Sequence, residues 1–323
     1  MNISSGIINK PVKVTLYGVE GIGKSTFASH FPKPLFIDLD NGTARLSVDR
    51  VIGIDSWKEL NRTIHEFINM ENNPYQTLVI DTADATARLC ENEIITQRAP
   101  GKRSIEDIPY GKGYKMLAEE FSIFLVWLEE AINAGFNVVV LAHAIMRTVT
   151  KPDDMGGYDH WELKLPGNTT NKVGPLLKEW SDLLLFADYK TMLVTDAKTN
   201  KQKARGGERI MYTCHTPFAD AKNRFGLPEV MPFDYKSIEK IVPAERTPTD
   251  ITAAIEPEEP KTPLEQLRAI LNRDSVTEKQ LIDALATKSI HIGKLEEIPE
   301  KWMQEQIIDQ WDTWHDYIIN IPF

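Results

Sequence analysis

Residues 18–25 read Gly-Val-Glu-Gly-Ile-Gly-Lys-Ser. An apolar, β-rich run, Val12–Tyr17, leads into them, and Lys24–His30 reads as the start of a helix. The spacing G-x-x-x-x-G-K-[ST] between a strand and a helix forms a loop whose backbone N–H groups turn inward, and the helix N-terminus adds partial positive charge. The ligand that suits such a loop is a nucleotide triphosphate. Gly18, Glu20, Gly21, Ile22 and Gly23 are expected to form the cradle. Lys24 is expected to reach the β- and γ-phosphates, Ser25 to ligate Mg²⁺ and Thr26 to bond the α-phosphate. The cofactors implied are ATP and Mg²⁺.

Further apolar runs follow, separated by helical patterns. Pro34–Asp40, Thr77–Thr82 and Asn137–His143 read as strands, and each ends in polar residues. Ser56–Met70 carries Leu60, Ile64, Phe67 and Ile68 on one stripe, and Tyr114–Asn133 is a second amphipathic helix. Leu183–Tyr189, Thr191–Asp196 and Arg209–Thr213 read as later strands joined by hairpins. Apolar strands alternating with helices imply an α/β fold with a mainly parallel central sheet covered on both faces. Ligands in such sheets gather beyond the carboxyl ends of the strands. There Asp81 is placed to hold Mg²⁺ through water. Asp38 and Asp40 both face the γ-phosphate region; Asp40 is the preferred group to polarise an attacking water, with an Asp40-Asn41-Gly42 turn as the plainer reading. His143 reads as a sensor of the γ-phosphate or as a satisfied core histidine.

Charge divides the chain. The 323 residues carry a net charge of −10, but residues 1–243 hold 29 Lys+Arg against 31 Asp+Glu, while residues 244–323 hold 8 against 16. Coating of nucleic acid by overall positive charge is excluded; a local basic channel in the near-neutral first part is not. The boundary coincides with a Pro- and Glu-rich stretch, 244–261, that reads as an extended linker. Residues 262–323 read as an acidic helical domain, with a capping-box pattern at Thr262–Glu265 and helical spacing from Ser275 and from Pro299. Its Trp302, Trp311 and Trp314 suit the core of a small bundle. Cys90 and Cys214 make no disulfide framework, no Cys/His cluster has zinc spacing, and no signal pattern or membrane-length run is present. The expected setting is a cytoplasm, that of a bacterial host if the chain is phage-encoded, with no membrane partner.

Taken together the pattern resembles a RecA-like core. Phe36-Ile37-Asp38-Leu39-Asp40, Val79-Ile80-Asp81-Thr82 and Leu141-Ala142-His143 match, in order, its catalytic-carboxylate, metal and sensor strands. The resemblance gives Asp40 the place of the catalytic glutamate and His143 that of the sensor glutamine. Ala221-Lys222-Asn223-Arg224-Phe225-Gly226 resembles the KNRFG motif of RadA-type proteins and the K-x-R element of hexameric replicative helicases. That likeness implies that Lys222 and Arg224 reach the ATP of a neighbouring subunit in a ring or filament, where they complete charge neutralisation of the transferring phosphate. With Tyr110–Tyr114 (YGKGY) and Ala221–Pro228 (AKNRFGLP), the pattern over about residues 10–240 is closest to phage RecA-like ATPases of the Sak-type single-strand annealing family. The resemblance implies a DNA-stimulated ATPase that binds single-stranded DNA and promotes annealing or strand exchange in recombination. A nucleotide-switched adaptor that recruits replication proteins and a RadA-like helicase or branch-migration motor are the alternatives.

Two long segments are the expected DNA contacts. Ala99–Gly113 carries Lys102, Arg103 and Lys112. Met146–Gly174 carries Arg147, Lys151, Tyr158, Trp161, Lys164 and Lys172 and is expected to be an irregular loop. Cations follow phosphates and rings stack on unpaired bases; a solvated insertion is the plainer reading. The hairpin Lys198–Arg209 is a further candidate lining. The Ile321-Pro322-Phe323 end resembles the tip of bacterial single-stranded-DNA-binding proteins, which would make those proteins or their partners ligands of the C-terminal domain; chance or local packing is the plainer and favoured reading of a three-residue match.

Overall fold

Strands that are apolar on both faces can lie only inside a covered sheet, and that rule organises the molecule. In the computed structural model, which describes residues 10–150, 156–167, 172–195, 202–246, 262–274 and 276–319, the chain divides into two units, Met1–Thr252 and Ala253–Phe323. The first is built in the order β1 (Lys13–Gly18), α1 (Lys24–Ala28), β2 (Pro34–Asp38), β3 (Asp49–Val51), α2 (Trp57–Ile68), β4 (Thr77–Asp81), α3 (Ala83–Glu93), α4 (Lys112–Asn133), β5 (Asn137–Val149), β6 (Tyr158–Leu163), α5 (Val173–Trp180), β7 (Leu183–Thr195), β8 (Gln202–Tyr212), β9 (Lys222–Asn223) and β10 (Val230–Pro232). The main sheet runs β10-β8-β7-β1-β5-β4-β2-β3. From β3 to β7 every neighbouring pair is parallel. The antiparallel pairings β7–β8 and β8–β10 close one edge.

β4 is buried along its whole length, as are the last five residues of β1 and the first six of β5. One face packs on α2, α3, α4 and α5 through residues such as Leu60, Ile64, Phe121, Phe124, Leu128 and Leu177. The other packs on α1 and the 233–242 segment through Phe27, Phe31, Phe233 and Ile238. The strand order sets the site: β5 lies between the glycine-loop strand β1 and the acidic strand β4, so three strand ends converge on one edge. This is an α/β core with a mainly parallel central sheet and a glycine loop after β1; the second unit is small and helical.

Several elements depart from expectation. β5 runs six residues beyond His143 and pairs antiparallel with β6. The stretch expected to be an irregular loop after residue 146 is thus a hairpin followed by α5. The two runs expected as separate strands around Lys190 are the single strand β7, with an irregularity between Tyr189 and Thr191. In the second unit, α6 (Pro263–Arg273) begins with the Thr262–Glu265 capping box. α7 (Glu278–Thr287) is capped by Thr277 and Gln280. The expected final helix is divided into α8 (Glu300–Met303), a π-turn over Gln304–Ile308 and α9 (Trp311–Ile319). Leu267, Leu271, Leu281, Leu285, Leu295, Ile307 and Trp311 form its core, and Trp302 and Trp314 pack against it.

Candidate active site

The glycine loop is shaped by close approach as well as by ligand chemistry. A Cβ on Gly18 would lie 2.3 Å from the carbonyl oxygen of Ala187 on the adjoining β7, so the first glycine of the motif lets two strands meet. Gly21 (φ +74°) and Gly23 (φ +102°) take left-handed conformations that side chains disfavour, and Gly23 sits at the N-cap of α1. The Lys24 ammonium is buried and donates to the carbonyl oxygens of Gly18 (3.0 Å) and Val19 (3.1 Å). Burial lowers its pKa, which the nearby Asp81, Asp84 and Glu20 charges partly restore.

Ser25, at the start of α1, donates its hydroxyl to Asp81 at the end of β4 (2.7 Å). Burial raises the Asp81 carboxyl; the Ser25 bond opposes this, and the Asp38 and Asp40 charges add to it. A hydroxyl and a carboxylate oxygen this close are the hard donors that Mg²⁺ takes, so the residues fit the ion that P-loop chemistry implies. Glu20 is exposed at the loop, whereas Ile22 is fully buried and supplies packing.

Asp38 and Asp40 separate in role. Asp38 is buried and accepts from the backbone of Gly42 and Thr43, both at 3.0 Å, and from the Thr43 hydroxyl. It is the anchor of the turn after β2 and does not face the cleft. Asp40 lines the cleft with Lys24, Ser25, Asp81 and His143, a space of about 330 Å³. His143 lies opposite Gly18 in the β1–β5 register. Its backbone N–H donates to Asp84 (3.0 Å), and its ring Nδ1 lies 3.5 Å from the same carboxylate oxygen. Burial would raise the Asp84 carboxyl, but the His143 hydrogen bonds and charge outweigh it and hold the group below its ordinary value. Among the described residues the other Asp84 oxygen is buried with no hydrogen-bond partner.

On the far side of α1, Gly23, Thr26, His30, Arg209, Phe233 and Tyr235 line a second cavity of about 150 Å³. Gly23 and Thr26 belong to both spaces. Arg209, expected in a DNA-facing hairpin, instead donates to the carbonyl oxygen of Ile22 (3.2 Å) with its guanidinium over the Phe233 ring. Phe233 in turn stacks on Phe27 at 4.8 Å.

The sequence profile of the AAA domain family matches residues 10–225. The chain belongs to that family. An uncharacterised protein derived from the SPβ prophage of Bacillus subtilis strain 168, YorG, is 27 % identical over 136 residues, which is 41 % of this chain. The chain spans only 40 % of that relative's length. A KaiC-like protein from the hyperthermophilic archaeon Pyrococcus horikoshii aligns with 63 % of this chain and 78 % of its own, at 14 % identity and a TM-score of 0.33. AAA domain membership agrees with the glycine loop and the acidic strand beside it.

The remaining expected site residues of this AAA domain protein are dispersed. Lys222 donates to the carbonyl oxygens of Lys178 (3.1 Å) and Glu179 (2.9 Å) at the C-terminal end of α5. Arg224 pairs with Asp182 at 2.6 Å. Within one chain, then, both cations hold β9 against the core. Lys102 and Arg103 are exposed in the irregular stretch before a 3₁₀ turn at Ile105–Asp107, and Lys112 is exposed at the start of α4. Arg147 on β5 pairs with Glu162 on β6, and both line a small cavity with Lys172 and Lys178. Lys164 is exposed. Tyr158 meets His160 edge-on. Trp161 is half-buried with its ring 5.9 Å from Phe186, so it is held by the core, unlike a ring free to stack on bases. Lys151, Lys198, the 247–261 stretch and the Ile321-Pro322-Phe323 end lie outside the described residues. No described helix is long and apolar enough to cross a membrane.

The sequence reading assigned no role to Asp84 or Arg88, and it did not foresee the contacts that Thr82 and Arg209 make here. Asp84 carried a weak signal, being three residues beyond the metal aspartate on the first turn of a helix.

Proposed function

We propose that the protein is an ATP hydrolase whose turnover is governed by single-stranded DNA, acting in annealing or strand exchange during phage recombination. The prophage origin of YorG supports the setting. Lys24 and the loop amides take the phosphates, and the base and sugar extend past Thr26 toward Arg209, Phe233 and Tyr235. Ser25 and Asp81 hold Mg²⁺, which neutralises charge on the phosphate oxygens when bound. Asp40 orients the attacking water and accepts its proton. ATP lies between subunits of a homo-oligomer, with Lys222 and Arg224 supplied from the neighbour.

One observation carries the coupling to DNA. β5 presents His143 to the nucleotide cleft and continues without a break to Arg147. The His143 carbonyl oxygen also accepts from the Lys164 N–H (2.9 Å), just beyond β6. A change at the phosphate end is therefore passed through backbone hydrogen bonds to the element that carries Arg147, Tyr158 and Lys164. The test is ATP hydrolysis by the intact chain with and without a single-stranded oligonucleotide. Turnover stimulated by the oligonucleotide and lost in Lys24→Ala is expected. Turnover indifferent to DNA removes the DNA part of the reading, and turnover that survives Lys24→Ala removes the site.

A second reading, a nucleotide-switched adaptor with negligible turnover, draws on Asp40, one methylene shorter than the glutamate of the RecA-like pattern. Robust hydrolysis excludes it.

A further inference from the structure

Asp40 does not stand free in the cleft. Its Oδ2 accepts the Thr82 hydroxyl at 2.7 Å, and its Oδ1 pairs with the Arg88 guanidinium at 2.6 Å. Thr82 is buried and is the N-cap of α3, where its oxygen accepts the Ala85 N–H at 3.3 Å. A hydroxyl has one proton; with Ala85 donating to the oxygen, that proton is directed to Asp40. Arg88 stands on the same helix, six residues on, with its side chain 61 % exposed against 27 % for Asp40. One helix thus grips both carboxylate oxygens, and it is the helix whose Asp84 also holds His143. A carboxylate on a short side chain in the turn beyond β2 has few contacts of its own to settle its rotamer. These two bonds supply them while leaving a lone pair on each oxygen.

We propose that Arg88 is a positioning residue for Asp40, fixing the carboxylate over the phosphate end of the cleft so that water is oriented in one geometry. The proposal rests on the reading of Asp40 as the group that orients water. Misplacement of a reacting group by about 1 Å costs up to roughly a hundredfold in rate. In the intact chain, with the oligonucleotide present, Arg88→Ala is expected to lower kcat about ten- to a hundredfold while the KM for ATP stays within about twofold, because Arg88 reaches no phosphate-binding group. Arg88→Lys, which keeps the charge but loses the fork, is expected to recover part of the loss.

A double-mutant cycle separates this from a structural role. On an Asp40→Asn background, removal of Arg88 should cost nothing further. Circular dichroism and ATP binding of Arg88→Ala should match the parent, as its exposure predicts. An unchanged kcat in Arg88→Ala, or a loss of equal size on both backgrounds, overturns the proposal and leaves the reading of Asp40 intact. A raised kcat also overturns it, since Arg88 would then restrain Asp40. If Asp40→Asn alone leaves turnover unaltered, both the proposal and the catalytic reading of Asp40 fail.

Discussion

The first glycine of the phosphate loop has a role that precedes any ligand. With the Ala187 carbonyl 2.3 Å from where its Cβ would lie, Gly18→Ala forces β1 and β7 apart. A loss of about 1–3 kcal/mol is expected for such overpacking, measurable by urea unfolding without nucleotide; unchanged stability would show that the strands give way freely. Asp84 makes a pH-dependent prediction. Its folded pKa lies below the ordinary 3.8, so its ionised form stabilises the native state above that value, and the gain is lost as pH falls through the lower folded value. Asp84→Asn should therefore cost about 1–3 kcal/mol at neutral pH, and the gap from the parent should narrow below pH 3.8. A gap that persists unchanged into acid would assign the loss to packing. These residues also mark how far the sequence could be read. Lys24, Ser25 and Asp81 sit where a recognisable strand ends or a helix opens, whereas the strand read as ending at His143 runs on to Val149. The sequence favoured Asp40 over Asp38 for the cleft, but that Asp38 anchors the following turn shows only in the structure. Arg88 and Arg209 act through contacts 48 and 187 residues away in sequence, which no local pattern records.

At the scale of elements, the buried parallel strands were legible because apolar runs of that length have one stable setting. β6 and α5 were not, since polar residues dominate a hairpin that carries Tyr158, Asp159, His160 and Glu162. The finger motif shows the same limit. Its letters suggested action on a neighbouring subunit, yet β9 is a two-residue strand tied down by Lys222 on the end of α5 and by Arg224 on Asp182. Both roles are compatible if Arg224, 58 % exposed in its pair, changes partner on assembly; an exposed ion pair holds it by only about 0–1 kcal/mol. Mixing tests this. Arg224→Ala protein binds ATP but lacks the cation, while Lys24→Ala protein supplies the cation but binds no ATP. Each is expected to be nearly inactive alone, and the mixture is expected to recover hydrolysis at mixed interfaces. An inactive mixture would confine Arg224 to its bond with Asp182.

For the whole molecule the decisive quantity is where the charge sits. The net −10 falls mostly on residues 244–323, with 16 acidic against 8 basic residues, while residues 1–243 are close to neutral. The C-terminal unit has its own core of Leu267, Leu271, Leu281, Leu285, Ile307 and Trp311. A compact acid tethered to a AAA domain whose proposed DNA contacts are lysines and arginines lowers the local potential that draws in a polyanion. A chain ending at residue 246 is therefore expected to keep its unfolding transition and its ATP binding, since the first unit has core clusters of its own. It is expected to bind a single-stranded oligonucleotide more tightly than the intact chain. The difference should be largest at low salt and shrink as the screening length falls toward about 8 Å at 0.15 M, whereas the salt slope set by phosphate contacts persists in both forms. Equal or weaker binding by the shortened chain at every salt concentration would show that the acidic unit does not oppose DNA. Its place would then be sought in recruitment of another protein.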